Sequence, residues 1–254
     1  MTGLEHLAVL GAGLGAGIMT STVGVASLLS FPILVALGIP PVVANASNTV
    51  GLTPGAITGS FGYRSELREH PVVTTTIIGT CAVGAVGGAV LLLALPPGVF
   101  EAVVPWLILG TCLLVGAQPR ISRWLKRTAD AVPPDEHTRL SPVTTFFSTL
   151  VGVYGGYFGA GSGVMMMAVL GFGSNLEFRI LNALKTLAIL ASNLVASVIF
   201  IAVAELDWAA VLFLAAGSIV GGYVGARIGR RLNPTVLRGL IVVVGVSAAV
   251  SMLL

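Results

Sequence analysis

The chain has 254 residues, of which 56% are hydrophobic and only 9% are charged, and its mean hydropathy is +1.00. A soluble domain carries about 25% charged residues, so this composition excludes a soluble protein and makes the lipid bilayer the chain's solvent. The net charge of +3 gives no indication of nucleic-acid binding, because the basic residues lie mainly in loops and at helix ends, where they set membrane topology.

Apolar segments follow one another along the whole chain. They span residues 7–38, 41–62, 71–95, 99–117, 142–173, 178–204, 208–229 and 234–254. The polar interval 118–141 carries charges of both signs and a Pro-Pro pair. The chain therefore divides into a first membrane repeat at 1–117, a connecting loop at 118–141 that we expect in the cytoplasm, and a second membrane repeat at 142–254.

The first and fifth segments are longer than one crossing requires, and small residues interrupt both near the centre. The interruptions read TSTVGVAS at 20–27 and GGYFGAGSG at 155–163. A backbone broken at membrane depth is tolerated where it lines a cavity instead of lipid. Each segment is therefore predicted to be a broken helix that enters and leaves on the same side, a re-entrant hairpin.

The second and sixth segments carry related polar motifs. A shift of 137 residues lays ANASNT at 44–49 on LNALKT at 181–186, and Gly24 on Gly161. The same shift pairs Asn45 with Asn182 and Asn48 with Lys185. Because the asparagines keep the register of the glycines, the pattern indicates an internal repeat. Chance matching in a glycine-rich protein is the alternative.

Loop charges favour six crossings plus two hairpins. With eight plain crossings, the basic loops at 62–70 and 118–141 would face the opposite side from 227–233. With two hairpins all three loops are cytoplasmic, and both termini and the 205–207 loop are extracytoplasmic. Each half then crosses three times, so the predicted fold is an all-α polytopic membrane protein of two inverted repeats. Eight plain transmembrane helices remain the alternative.

The second half-helix of each hairpin offers a place for an anion. A helix N-terminus presents unpaired N–H groups and a partial positive charge. Glycine there allows close approach to the backbone, and hydroxyl groups add donors. The candidates are Thr22, Gly24 and Ser27 in the first hairpin, and Gly161, Ser162 and Gly163 in the second. Tight helix packing is the alternative role of these glycines.

Lys185 lies inside an apolar segment, about 10 Å from its start at 1.5 Å per residue. On a helix it shares one face with polar Asn182 and Asn193. A charge within the bilayer costs at least about 2.5–3.5 kcal/mol, and no acidic residue lies at membrane depth to pair with it. The missing counter-ion is predicted to be the substrate. The alternative is a structural lysine that donates to helix carbonyls.

Together these features predict a site for a small oxyanion. Its candidate residues are Thr22, Gly24, Ser27, Asn45, Asn48, Gly161, Ser162, Gly163, Asn182, Lys185 and Asn193. No catalytic residue, metal site or cofactor is predicted, because the histidines lie at loops or segment ends and no carboxylate pair lies in the membrane. The chain is therefore not expected to be an enzyme.

Three stretches resemble the sulfite exporter TauE/SafE family, also called toluene-sulfonate uptake permeases. They are TVGVASLLSFPILVALGIPPVVANASNTV, GGYFGAGSGVMMMAVLGFGSNLEFRILNALKT and DWAAVLFLAAGSIVGGYVGARIGRRLNPTVLRGLIVVVG. The resemblance implies a secondary transporter of small anions such as sulfite or organosulfonates. It carries over to Gly24, Asn45 and Asn48, and to Gly161, Gly163, Asn182, Lys185 and Asn193. The first hairpin, Gly24-Val25-Ala26-Ser27, has fewer glycines than is usual in that family.

The expected function is secondary transport of a small anion across the cytoplasmic membrane by alternating access. An anion channel and a non-transporting membrane scaffold are the alternatives. Protons are a candidate coupling ion. The sequence does not specify the anion, the direction of transport or the oligomeric state.

Overall fold

The computed structural model describes residues 3–131, 139–174, 176–228 and 234–253, and within these ranges every regular element is an α-helix. In the first half, the helices are α1 (Gly3–Thr22), α2 (Ser27–Ala36), α3 (Pro41–Phe61), α4 (Arg64–Glu69), α5 (Pro71–Ala94) and α6 (Pro97–Ala131). In the second half they are α7 (Pro142–Tyr157), α8 (Ser162–Gly173), α9 (Phe178–Val203), α10 (Trp208–Ile228) and α11 (Pro234–Leu253). The predicted all-α membrane fold is confirmed.

Both predicted breaks are present, and glycine makes them possible. The chain leaves the helical conformation between α1 and α2, where Gly24 has a φ of +84°, and between α7 and α8, where Gly159 and Gly161 have a φ of +78°. A residue with a Cβ rarely adopts this left-handed conformation. The half-helices α2 and α8 begin at Ser27 and Ser162, within the stretches the sequence predicts.

The helix contacts of one half recur in the other. Helix α1 packs along α10 of the second half, and α7 packs along α5 of the first half. Helix α3 likewise contacts α10, and α9 contacts α5. Two further pairs, α3 with α9 and α6 with α11, join equivalent helices of the two halves. The halves are therefore intertwined, with each hairpin held by the other half.

The structure corrects the register of the repeat at the hairpins. Gly24 and Gly159 share the left-handed φ, and the N–H groups of both bond to the carbonyl five residues earlier. Gly24 thus corresponds to Gly159 and not to Gly161, a shift of 135 residues. Helix α8 has 12 residues and α2 has 10, so the extra two residues restore the predicted shift of 137 before α3 and α9 begin. Asn45 and Asn182 then remain equivalent.

Close glycine contacts support the corrected register. A methyl group on Gly17 would lie 2.5 Å from the Ser218 carbonyl oxygen, and one on Gly152 would lie 2.9 Å from the Cys81 carbonyl oxygen. These contacts are equivalent when Gly17, instead of Gly15, is paired with Gly152. Helix backbones approach this closely only at small residues, which explains the glycine-rich sequence of α1 and α7.

Six described helices are long and apolar enough to cross a membrane. They are α1, α5, α6, α9, α10 and α11. Helix α3 has 21 residues, about 31 Å at 1.5 Å per residue, but its polar residues lower its hydropathy.

Helix α6 continues to Ala131, so part of the 118–141 interval is helical. Residues 132–138 of that interval lie outside the described residues. Arg230 and Arg231 of the predicted basic loop do so as well.

The two hairpins open at opposite ends of the helix bundle. His6 at the start of α1 stacks on Phe213 near the start of α10, with ring centroids 4.5 Å apart. The loop that follows α2 lines a surface pocket together with residues 205–208. At the other end, the Thr144 hydroxyl near the start of α7 donates to the Gly173 carbonyl oxygen at the end of α8, at 3.3 Å, so the second hairpin opens there. Arg179 at the start of the next helix, α9, forms an ion pair with Glu69 of α4, with N–O distances of 2.6 and 2.8 Å.

Candidate functional site

Lys185 lies where the two halves of the protein meet. Its side chain is fully buried. A methyl group on Gly24 would lie 3.3 Å from Lys185 Cδ, and one on Gly163 would lie 3.2 Å from Lys185 Cγ. The aliphatic stem of the lysine therefore covers two glycines, one from each hairpin.

The ammonium group of Lys185 has one protein acceptor among the described residues. Lys185 Nζ donates to the carbonyl oxygen of Thr22 at 3.5 Å, at the outer limit of a hydrogen bond. Thr22 ends α1, and a helix C-terminus carries a partial negative charge that favours a cation. The predicted alternative of a lysine bound to helix carbonyls thus has one long bond in its favour. An ammonium has three N–H donors, so capacity for a ligand remains.

A small polar pocket lies between the two breaks. Its lining combines four polar side chains with backbone from both hairpins: Thr20, Gly24, Ala26, Ser27, Gly159, Ser162, Ile189 and Asn193. None of these residues carries a carboxylate. The pocket has room for about one water molecule, so in this conformation it is too small for a larger ligand. Of the predicted site residues, the structure brings Gly24, Ser27, Ser162 and Asn193 together here.

Both half-helices begin without a side-chain cap. Among the described residues, none donates or accepts a capping bond at Ala26 or Gly161, which precede α2 and α8. The first turn of a helix has N–H groups that lack intrahelical partners, and here some of them, such as that of Ser162, bond to carbonyls of the break. Because Ser27 and Ser162 line the pocket, the positive ends of two helix dipoles lie beside it.

Gly161 and Gly163 are both closely packed, the role that the sequence offered as the alternative to ligand binding. A methyl group on Gly161 would lie 2.3 Å from Thr111 Cγ2, so this position has no room for a side chain. One on Gly163 would lie 2.7 Å from Ile189 Cδ1 and 3.0 Å from the Gly24 carbonyl oxygen. Gly159 lines the pocket in their place. Gly161 does not line the pocket in this conformation, and its part in a ligand site stays a prediction.

Asn45 and Asn48 of α3 are buried and bonded to other parts of the hairpins. Asn45 Nδ2 donates to the Tyr157 carbonyl oxygen at the end of α7, at 2.9 Å. Asn48 Oδ1 accepts a hydrogen bond from Ser30 Oγ. Within the described structure, Asn45 Oδ1 and Asn48 Nδ2 have no hydrogen-bond partner, although both are buried. Buried polar atoms normally find partners, so these two have spare capacity for a ligand or water.

Thr22 and Asn182 do not line the pocket between the two breaks. The Thr22 hydroxyl donates to the Ile18 carbonyl oxygen within its own helix at 2.8 Å, so its backbone carbonyl is the group that faces Lys185. The Asn182 side chain is half-buried, and the backbone carbonyl oxygen of Asn182 accepts from the Thr186 hydroxyl.

Four further residues hold the breaks and are not among those predicted from the sequence. Thr111 Oγ1 and Tyr154 Oη both donate to the Ala160 carbonyl oxygen, at 3.1 and 2.7 Å, and so hold the second break. Gln118 Nε2 donates to the Val23 carbonyl oxygen of the first break at 3.3 Å, and Arg238 Nε donates to Gln118 Oε1 at 3.0 Å. An arginine in the first turns of an apolar helix is the one sequence signal that could have indicated Arg238.

The bundle of apolar helices with two uncapped breaks and a buried lysine defines a multi-pass helical membrane protein with an internal polar site. The chain belongs to the Sulfite exporter TauE/SafE family, whose profile it matches over residues 9–252. The resemblance that the sequence motifs indicate is thereby confirmed.

Relatives in this family are described as transporters. The chain is 28% identical to the "Probable membrane transporter protein ORF9" of Sinorhizobium sp, over 94% of this chain and 88% of the relative. It is 26% identical to a "Probable membrane transporter protein" of Haemophilus influenzae, over 95% of this chain and 92% of the relative. No solved structure matches the chain significantly. The chain is a multi-pass membrane protein of a transporter family.

Proposed function

We propose that this chain is a secondary transporter that carries a small anion across the cytoplasmic membrane by alternating access. The anion class is sulfite, an organosulfonate or a related small organic anion. The observation that carries the proposal is the fully buried Lys185, which has one long carbonyl bond and no carboxylate partner among the described residues. An uncompensated charge inside a membrane protein is costly and is usually retained for function.

The surroundings of Lys185 favour an anion over other ligands. Lys185 does not itself line the polar pocket, but its stem packs on Gly24, which does. The pocket combines hydroxyl and amide groups with the N-terminal ends of α2 and α8. Helix N-termini bind oxyanions through backbone N–H groups. A cation in the pocket would meet two positive helix ends instead, without a carboxylate from the pocket lining to offset them.

The arrangement of the hairpins supports inverted repeats. The open end of α1–α2 lies beside residues 205–208, whereas the contact between Glu69 and Arg179 lies at the opposite end. With the basic loop 62–70 in the cytoplasm, both termini are extracytoplasmic. Two halves of opposite orientation around a central site are the usual plan of secondary transporters.

Alternating access fits a site that is closed and shared between the halves. The pocket has room for about one water molecule, and its walls include both hairpins. Separation of the halves on one side at a time would open the site without forming a continuous pore. A channel needs a continuous water-filled path, so the closed pocket favours a transporter.

Proton coupling, where it occurs, would not use a carboxylate in the membrane. The acidic residues of the chain lie in loops or at helix ends. Protons would therefore move with the anion itself or on the amine of Lys185.

Flux into proteoliposomes tests the proposal. The purified protein would be reconstituted and offered sulfite, methanesulfonate, acetate and sulfate, each with and without a pH gradient. Protein-free liposomes and the Lys185→Ala variant serve as controls. Uptake of at least one sulfur oxyanion that accelerates when the same anion is present on the far side supports a transporter. Uptake without this acceleration indicates a channel, and no uptake of any anion contradicts the proposal.

A further inference from the structure

Arg238 connects to the first break through a single side chain. It lies on the second turn of α11, and its Nε donates to Gln118 Oε1 of α6 at 3.0 Å. Gln118, which is only 4% exposed, donates in turn to the Val23 carbonyl oxygen at 3.3 Å. The neighbouring carbonyl oxygen, that of Thr22, accepts from Lys185. Two cationic side chains are thus tied to adjacent carbonyls of one hairpin.

The two cations have no acidic partner in the described part of the chain. The ion pairs found there join Arg179 to Glu69 and Glu177, at the protein surface. Arg238 is linked through Gln118 to the Val23 carbonyl, and Lys185 bonds to the Thr22 carbonyl directly before it. Two like charges held near each other inside a membrane protein repel, because the low dielectric there strengthens their interaction.

Gln118 holds Arg238 in place without neutralising it. An amide accepts one bond from the guanidinium through Oε1, and a guanidinium has five N–H donors. The remaining N–H groups of Arg238 can therefore bind an oxyanion group such as a carboxylate or a sulfonate. Because Arg238 is only half-buried, it can meet a ligand that approaches from the end of the bundle where α11 begins.

We infer that Arg238 is a second cationic group of the anion site, positioned by Gln118, and that the site prefers anions with two negatively charged ends over related anions with one. Lys185 binds one end and Arg238 the other. A doubly charged anion removes the repulsion between the two cations, whereas a singly charged one leaves one of them without a counter-ion. This inference rests on the proposed function.

Two probes on the same ethane skeleton differ by one charged end. Ethane-1,2-disulfonate carries two negative charges at any working pH, and ethanesulfonate carries one. Binding would be measured as anion-dependent thermal stabilisation of the purified protein, which reports affinity through mass action. The wild-type protein is expected to bind the disulfonate at least about ten-fold more tightly, as expected for one additional charge-assisted hydrogen bond.

Variants then assign the preference to Arg238. Arg238→Gln should lower affinity for the disulfonate about ten-fold and change affinity for ethanesulfonate less than about two-fold. Gln118→Ala, which frees the guanidinium, should also reduce the preference. Arg238→Lys should keep part of it. Arg227→Gln is the matched control, because it removes an exposed positive charge at the end of α10, where the guanidinium lies over the Tyr223 ring.

The outcomes distinguish this inference from the proposed function. Equal losses for both probes in Arg238→Gln, or no loss for either, overturn the inference. A wild-type protein that binds ethanesulfonate as tightly as the disulfonate also overturns it, while the proposed anion site stands. If neither these sulfonates nor sulfite stabilises the wild-type protein, the proposed function fails and the inference fails with it.

Discussion

Gly24 and Gly163, one from each half of the protein, pack backbone against backbone. A methyl group on Gly163 would lie 3.0 Å from the Gly24 carbonyl oxygen, and one on Gly24 would lie 3.5 Å from Gly163 Cα. The stem of Lys185 lies over the same two residues. The same two glycines therefore set both the contact between the halves and the position of the Lys185 side chain.

Gly24→Ala should weaken anion binding beyond its effect on folding. The φ of +84° makes alanine unfavourable there by about 1–2 kcal/mol. The new methyl group would also press on Lys185 Cδ at 3.3 Å. We expect a lower Tm for the empty protein together with a reduced anion-dependent rise in Tm.

Gly38→Ala is the matched control for this variant. Gly38 also has a φ of +84°, but a methyl group there would have no atom within 4 Å among its described neighbours. It should lose stability as Gly24→Ala does and keep the full response to the anion. If the anion raises the Tm of both variants equally, Gly24 is needed for its backbone conformation and not for anion binding.

Single cysteines test the predicted topology. Gly3→Cys and Gly98→Cys should react on intact cells with a thiol reagent that does not cross membranes, and Arg139→Cys should not. All three positions are exposed in the structure, and the native cysteines are buried. With eight plain crossings, Gly3 and Arg139 would lie on the same side. Equal labelling of these two positions would therefore contradict the hairpins and the inversion.

The broken helices and the buried lysine could be predicted from the sequence. Small residues at the centres of two overlong segments indicated both breaks, because a glycine among them lets the backbone turn where other residues would not. The absence of acidic residues around Lys185 was equally visible. Both features are properties of a short stretch of residues, so a single sequence is enough to detect them.

The register of the hairpins and the role of Arg238 could not be predicted. A shift of 137 residues aligned the asparagines, and nothing in the sequence indicated that α8 is two residues longer than α2. Gln118 and Arg238 are 120 residues apart, and only the packing of α6 against α11 brings them together. Long-range contacts of this kind depend on the tertiary fold, which a local pattern does not specify.

The ion pair between Glu69 and Arg179 should stabilise the link from α4 to α9 in a pH-dependent way. The hydrogen bond from Arg179 lowers the pKa of Glu69 below its ordinary value of 4.5. A carboxyl whose pKa is lowered on folding contributes stability above its unfolded pKa and loses it as pH falls through the folded pKa. Glu69→Gln should therefore lower Tm slightly at pH 7, and the difference from wild type should shrink below about pH 4.5.

Glu66→Gln provides the comparison. The pKa of Glu66 is also lowered, mainly by a hydrogen bond from Ser65 inside the same short helix. This variant removes a similar charge without breaking the contact with α9. Salt at 1 M shortens the Debye length to about 3 Å, which screens exposed charges and should reduce the effect of Glu69→Gln on Tm. A difference from wild type that persists unchanged at pH 3 would exclude the ion pair as its cause.

Replacement of Lys185 should separate anion binding from folding. Lys185→Ala removes a charge-assisted hydrogen bond of about 1.5–3 kcal/mol, or roughly ten- to a hundred-fold in affinity. Lys185→Arg should also bind poorly, because a planar guanidinium does not replace a compact ammonium in a tight site. Anion-dependent stabilisation of each purified variant is the measurement.

The most direct test compares wild type with Lys185→Met, with and without the anion that gives the largest rise in Tm. If the substrate is the counter-ion of Lys185, the empty variant should be at least as stable as empty wild type, because a buried charge without an acidic partner is lost. Its Tm should then no longer respond to the anion. The reverse pattern, a destabilised empty variant with an intact response to the anion, would make Lys185 a structural residue and contradict its role in binding the anion.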